Sequence, residues 1–193
     1  MTNVRDCVAG LLIAVAGTAT WLGGIAPAEA QANKPAEVSP RGQREATDIS
    51  YGGWQKLCFK PGGAPMLCRT SITGRFSTGQ IAMRLDLIER EDSQTARLQL
   101  FVPVGMYLQQ PPKLSVDGGA PVFVPYVWCL TNLCIAADAA EPKIIKDMEV
   151  GRVLMLELVD SNLLAVTTAI PLAQFAAAHR GAPAKILEQY VEE

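Results

Sequence analysis

Between residues 81 and 87 apolar side chains take every second position (Ile81, Met83, Leu85, Leu87), with Ala82, Arg84 and Asp86 between them. A period of two marks a strand with one buried face, because successive side chains point to opposite sides of the backbone. Residues 96–102 repeat the pattern with Leu98, Leu100 and Val102, and the charged stretch 89–94 predicts a solvated connection between the two strands. Upstream, 54–59 and 66–73 read as the arms of a hairpin around the Pro/Gly-rich turn 60–65. Downstream, the run 106–108 is short, 114–116 enters an Asp-Gly turn at 117–118, and 122–128 is extended but broken by Pro125. Residues 152–159 and 163–170 flank Asp160-Ser161-Asn162 as a second hairpin.

Helical spacing appears in three places. Residues 138–148 carry Ile144, Ile145 and Met148 ahead of Gly151, and 171–179 begin at a proline and align Leu172, Phe175 and Ala176. Residues 184–191 predict a loosely packed terminal helix within a tail spanning 181–193. Many short strands with few helices predict an all-β-dominated fold. The expected form is an antiparallel β-sandwich or partly closed barrel over residues 49–180, with one or two short peripheral helices.

The N-terminus follows a different rule. Residues 8–21 are almost free of polar groups, and Ala28-Glu29-Ala30 supplies the small–x–small triplet of a signal-peptidase site, so 1–30 is expected to be a cleaved signal peptide. The alternative keeps residues 8–26 as an uncleaved membrane anchor, and with it an association with the membrane. Residues 31–48 are polar, contain Pro35, Pro40 and Gly42, and are expected to be a flexible lead-in.

Export would place Cys58, Cys68, Cys129 and Cys134 in an oxidising space. Four cysteines allow three pairings. Local geometry favours Cys58–Cys68 across the first hairpin and Cys129–Cys134 around a tight loop. Neither spacing is that of a redox pair, and only Cys129-x4-Cys134 comes near a zinc knuckle, so neither a metal nor a cofactor is expected.

With 17 basic and 19 acidic residues the chain of 193 carries a formal charge of -2, which offers no attraction to nucleic acid. His179 is the only imidazole and sits at a helix end beside Arg180. No nucleophile, phosphate-loop or dinucleotide motif accompanies it, and no catalytic residue is expected. The carboxylates closest in sequence, Asp86 with Glu89 and Glu157 with Asp160, could serve a hydrolase acting on envelope polymer. However, Glu89 and Asp160 lie at a strand end or turn, where solvation explains them, and with the leucines facing inward Asp86 and Glu157 are expected at outward strand positions. Arg69, Arg75, Arg84, Arg90 and Arg97 make the first half of the domain basic. The ordinary expectation is that each pairs with a local acid such as Asp86, Glu89 or Glu91; three on one face would instead suit an anionic glycan or lipid head group. The candidate binding surface combines Arg69, Arg75, Arg84 and Arg97 with Tyr107 and Tyr126; Phe123 and Trp128 are further aromatic candidates.

An ordered set of motifs adds to this reading. Trp54-x3-Cys58-x9-Cys68 is followed by Val102-Pro-Val-Gly-Met-Tyr-Leu, Leu114-Ser-Val-Asp-Gly-Gly, Cys129-x4-Cys134 and Ile170-Pro-Leu-Ala-Gln-Phe. This succession resembles the invasion-associated locus B family of alphaproteobacteria over roughly residues 50–180, although Leu133 and Gln174 stand where the family often has glycine. The resemblance implies an exported periplasmic, outer-membrane-associated or secreted β-rich domain. Some family members are linked to host-cell entry or colonisation. It supplies no catalytic residues, and it makes Trp54, Pro103, Gly105 and Asp117 architectural. The expected role is a non-enzymatic envelope module binding an unknown envelope or host protein, glycan or lipid component. An accessory subunit of a membrane complex, held by an uncleaved N-terminal segment, is a further alternative.

Overall fold

The computed structural model describes residues 39–188; the segment expected to be a signal peptide, residues 31–38 of the lead-in and residues 189–193 lie outside the described residues. In chain order the strands are β1 (Gly42–Glu45), β2 (Ile49–Tyr51), β3 (Gln55–Lys60), β4 (Leu67–Phe76), β5 (Ile81–Arg90) and β6 (Ala96–Pro103). There follow β7 (Lys113–Val116), β8 (Val122–Phe123), β9 (Tyr126–Cys129), β10 (Leu133–Ala140) and helix α1 (Pro142–Val150). The chain continues through β11 (Val153–Val159), β12 (Leu164–Pro171), helix α2 (Phe175–Arg180) and β13 (Lys185–Glu188).

Two mixed sheets pack together as an open sandwich. One has five strands in the order β1-β12-β11-β7-β8; the other has eight, in the order β13-β3-β4-β5-β6-β10-β9 with β2 paired to β4. The long antiparallel centre β4-β5-β6-β10 aligns Ile72, Leu85, Leu100 and Ala136 in one cross-strand row. All four are buried, and they join Leu114, Leu154, Leu156 and Ile170 of the smaller sheet in a single core. The alternation read at 83–87 and 96–102 is thus the inner face of this layer, whereas Ile81, expected on it, is 53% exposed beyond a register shift between β4 and β5.

Polar side chains tie the layers. Tyr51 Oη lies 2.7 Å from Thr168 Oγ1, and the Trp54 indole donates to the Pro171 carbonyl at 2.8 Å. Trp54 meets the fully buried Phe175 ring edge-on, 4.8 Å between centroids. At the end of α2, His179 Nδ1 lies 2.9 Å from Glu149 Oε1, and its Nε2 lies 3.1 Å from Glu89 Oε1. Arg180 also pairs with Glu149. The only imidazole therefore joins α1, α2 and β5, and Lys56 adds a bond to the His179 carbonyl at 2.7 Å.

The two disulfides join directly opposed residues, Cys58 with Cys68 across β3–β4 and Cys129 with Cys134 across β9–β10. Asp117 and Gly118 have φ of 47° and 75°, the left-handed pair that a tight hairpin turn uses. The Asp117 carboxylate reaches across the sheet to accept the backbone N–H groups of Arg152 and Val153, both at 3.0 Å. Gly151 has no room for a side chain: a Cβ there would lie 2.3 Å from Val116 Cγ1.

Four expectations need correction. The lead-in is not uniformly irregular, since β1 pairs in parallel with β12 from Gly42↔Leu164 to Glu45↔Thr167. Its side chains are exposed, so backbone pairing with β12 positions it and no apolar pattern announces it. Where a tail helix was expected, Lys185–Glu188 is a strand parallel to β3; the free edge of β3 satisfies its backbone. Helix α1 starts four residues late because β10 runs on to Ala140, opposite Ala96, before Pro142 opens the helix. Helix α2 starts at Phe175 because Pro171 still belongs to β12, opposite Val153. The apolar run 122–128 also divides: β8 lies in the small sheet and β9 in the large one, with Pro125 between them.

Phe175→Ala removes a fully buried ring and is expected to cost about 3–5 kcal/mol in urea unfolding of the oxidised protein. Val150→Ala, at a position 83% exposed, should stay within about 0.5 kcal/mol. Near-equal midpoints for the two variants would contradict the packing described.

The hydrogen bond from Arg180, followed by that from His179, holds Glu149 down at about 2 from an ordinary 4.5, against the opposing effect of burial. A depressed carboxylate stabilises the fold fully above its unfolded value, and that contribution disappears as pH falls through the folded one. Glu149→Gln should therefore be clearly less stable than the parent above about pH 5, with the gap closing toward about pH 2. Chemical unfolding across that range checks it; a gap independent of pH would contradict the ion-pair assignment.

Candidate functional site

The outer face of the eight-stranded sheet is set by the register that buries the inner one. On β5 the outward residues are Arg84, Asp86 and Ile88, alternating with the inward Met83, Leu85 and Leu87. Arg69 of β4 and Arg97 of β6 both stand opposite Ile88, so Arg69, Arg84 and Arg97 share this face. Phe101 stands opposite Arg84, Ile135 opposite Phe101 and Trp128 opposite Ile135, which continues the row to the sheet edge.

Asp86 lies at the centre of this face with only 1% of its side chain exposed. Its Oδ2 meets Arg84 Nη2 at 3.0 Å and Arg69 Nε at 3.8 Å. Burial pushes its carboxyl above the ordinary range, and Arg84, then Arg69, pull it back. Its Oδ1 is buried with no hydrogen-bond partner, as is Arg84 Nε. The Arg84 guanidinium also lies over the Phe101 ring, 3.9 Å from its centroid. Two cations thus share one anion, and Arg97 pairs with no described residue, so positive charge is left in excess.

A row of polar side chains crosses the same face: Gln55 of β3, Ser71 of β4, Asp86 of β5 and Gln99 of β6 stand opposite one another. Two clefts border it. One of about 370 Å³ is lined by Ser50, Gln55, Ser71, Thr73 and Arg75. The other, of about 460 Å³, is lined by Ala82, Arg84, Phe101, Pro103 and Leu133. They adjoin where Thr73 stands opposite Arg84.

Of the surface residues proposed from sequence, only Arg69, Arg84 and Arg97 are brought together. Arg75 borders the first cleft and donates to the Gly79 carbonyl at 2.9 Å. Tyr107 lies in the β6–β7 connection, its hydroxyl on Gln109 at 2.7 Å. Tyr126 packs against the core; its hydroxyl is buried without a partner, and burial raises its pKa far above that of a free phenol. Phe101 and Trp128 lie on the arginine face, the latter 64% exposed. Phe101 could have been found from sequence, since it falls between the inward Leu100 and Val102.

The carboxylates do not converge. Asp86 faces outward as expected, and Arg69 and Arg84 pair with it there and cover it. Glu89 reaches His179, and Glu157 meets Lys113 at 3.4 Å on the smaller sheet. Asp160 accepts the backbone N–H groups of Asn162 at 2.9 Å and Leu164 at 3.0 Å. Among the described residues, no group of three or more histidine, cysteine or acidic side chains could hold a metal ion.

The fold has a counterpart among solved structures. The crystal structure of invasion associated protein B from Bartonella henselae superposes with a TM-score of 0.59 at 19% identity, covering 67% of this chain and 90% of that one. No curated protein sequence matches the chain. The family model described as Invasion associated locus B (IalB) protein matches residues 54–183, the span from Trp54 through both disulfides to the end of α2. The chain belongs to the invasion associated locus B family.

Proposed function

We propose that this chain is an exported envelope protein that works by binding, and that its binding surface is the arginine-bearing outer face of the eight-stranded sheet. The observation that carries this is the placement of Arg69, Arg84 and Arg97 on one face, with a single buried carboxylate to balance them. Guanidinium groups present planar arrays of donors matched to carboxylate and phosphate oxygens. Holding Arg84 between Asp86 and Phe101 lowers the entropy lost when an anion binds.

Two features support export. The disulfides suit an oxidising space beyond the cytoplasm, and the first thirty residues read as a secretion signal. Among the described residues, no helix is long and apolar enough to cross a membrane. The separate engagement of Asp86, Glu89, Glu157 and Asp160 favours binding over hydrolysis. The name of the family and that of its Bartonella member associate them with invasion. For this chain the corresponding role is contact between the envelope and an anionic component of the envelope itself or of a host surface.

The test is retention of the oxidised protein on immobilised dextran sulfate. With a formal charge of -2, the chain gains nothing from its net charge there. The parent should be retained and should elute with salt, while R69Q/R84Q/R97Q should elute in the flow-through. The charge-matched R41Q/R44Q/R152Q should behave as the parent. Equal elution of the two triple variants would overturn the assignment of the face.

A further inference from the structure

We infer that the ligand of this face is an acidic polysaccharide lying across the strands, a uronate-type polymer held in extended form. The inference rests on the binding role proposed above and names its ligand class. It follows from the shape and chemistry of the track rather than from the arginines alone.

The first observation is length. The polar row and its two clefts run over β3, β4, β5, β6 and β10, and the aromatic row ends at Trp128 on β9. Neighbouring strands lie about 4.8 Å apart, so five strands span about 19 Å and the sixth extends this to about 24 Å. A single head group or free phosphate fills a fraction of that distance. A chain of several sugar units fills it.

The second is the kind of hydrogen bonding on offer. Gln55, Ser71, Thr73 and Gln99 make no side-chain hydrogen bond to any described residue. Amide and hydroxyl side chains both donate and accept. A sugar hydroxyl does the same, whereas a phosphate ester offers acceptors alone. The arginines lie on either side of this row: Arg69 and Arg97 flank Ile88 in the next row, and Arg84 lies in the opposite one. Neutral groups that bond hydroxyls, bordered by cations that bond carboxylates, match a polymer carrying both.

The third is the exposed aromatic at one end. Trp128, in a row with Phe101 and Ile135, gives an open face for the apolar side of a sugar ring.

The probes are polygalacturonate oligosaccharides of two and six units, fully methyl-esterified hexamer, and vesicles of phosphatidylglycerol in phosphatidylcholine. Titration calorimetry reads the sugars and sedimentation reads the vesicles. The hexamer should bind at least about tenfold more tightly than the dimer, and the esterified hexamer should not bind. Q55A/Q99A should weaken the hexamer severalfold while leaving the dimer and the melting temperature unchanged, and W128A should weaken the hexamer alone. Equal affinities for dimer and hexamer would overturn the inference. So would arginine-dependent binding to vesicles with none to the hexamer; both results leave an anion-binding face in place. No binding to any probe that depends on Arg69, Arg84 and Arg97 would remove the inference and the proposed function together.

Discussion

Asp86 holds a carboxylate where 1% of the side chain meets solvent, and a charge in that position persists only with cations against it. Its location decides what the sheet presents. Because β5 is a central strand, Arg84 two residues away and Arg69 on the neighbouring strand are the side chains that reach it. Strand alternation places both on the outer face, where Arg84 also lies over Phe101. One anion cannot neutralise two guanidinium groups, and one of its own oxygens makes no hydrogen bond. The face is thereby positive, ordered and short of partners.

The remainder of the fold keeps that face open. The inner side of β4-β5-β6-β10 is committed to the core with the small sheet, and both helices sit with that core through Ile144, Met148 and Phe175. The charged joint of His179, Glu89, Glu149 and Arg180 anchors α2 on the inner side, because Glu89 follows the parity of Leu85 and Leu87. The disulfides clamp the β3–β4 and β9–β10 pairs, fixing register near the two ends of the large sheet. A one-residue slip in either pair would move its side chains to the opposite face.

Much of this was legible wherever burial acts on a strand with a period of two. Leu85, Leu87, Leu98 and Leu100 announced the inner face, and by parity they placed Arg84 and Arg97 outside. Strands with no buried face were silent: β1 and β13 expose their side chains, so no alternating pattern announces them. The helix starts were misplaced for a related reason, since a strand already paired along its length outcompetes the helical spacing at its end. Asp86 was legible as an outward position and as a local partner for arginine. Only the cross-strand register shows that two arginines converge on it, and register cannot be deduced from one strand at a time. Tyr126 misled in the opposite sense: it follows Pro125, where the chain changes sheets, and lands on the core side.

The central claim, that the outer face of the large sheet meets the ligand through its arginines, is tested most directly by following arginine Nε–H and tryptophan indole resonances in solution. The ligand for this is polygalacturonate hexasaccharide. The account predicts that Arg69, Arg84, Arg97 and Trp128 shift together and saturably, while Arg152 and Trp54 stay in place. Shifts confined to Arg41, Arg44 and Arg152, or spread evenly over every arginine, would contradict it.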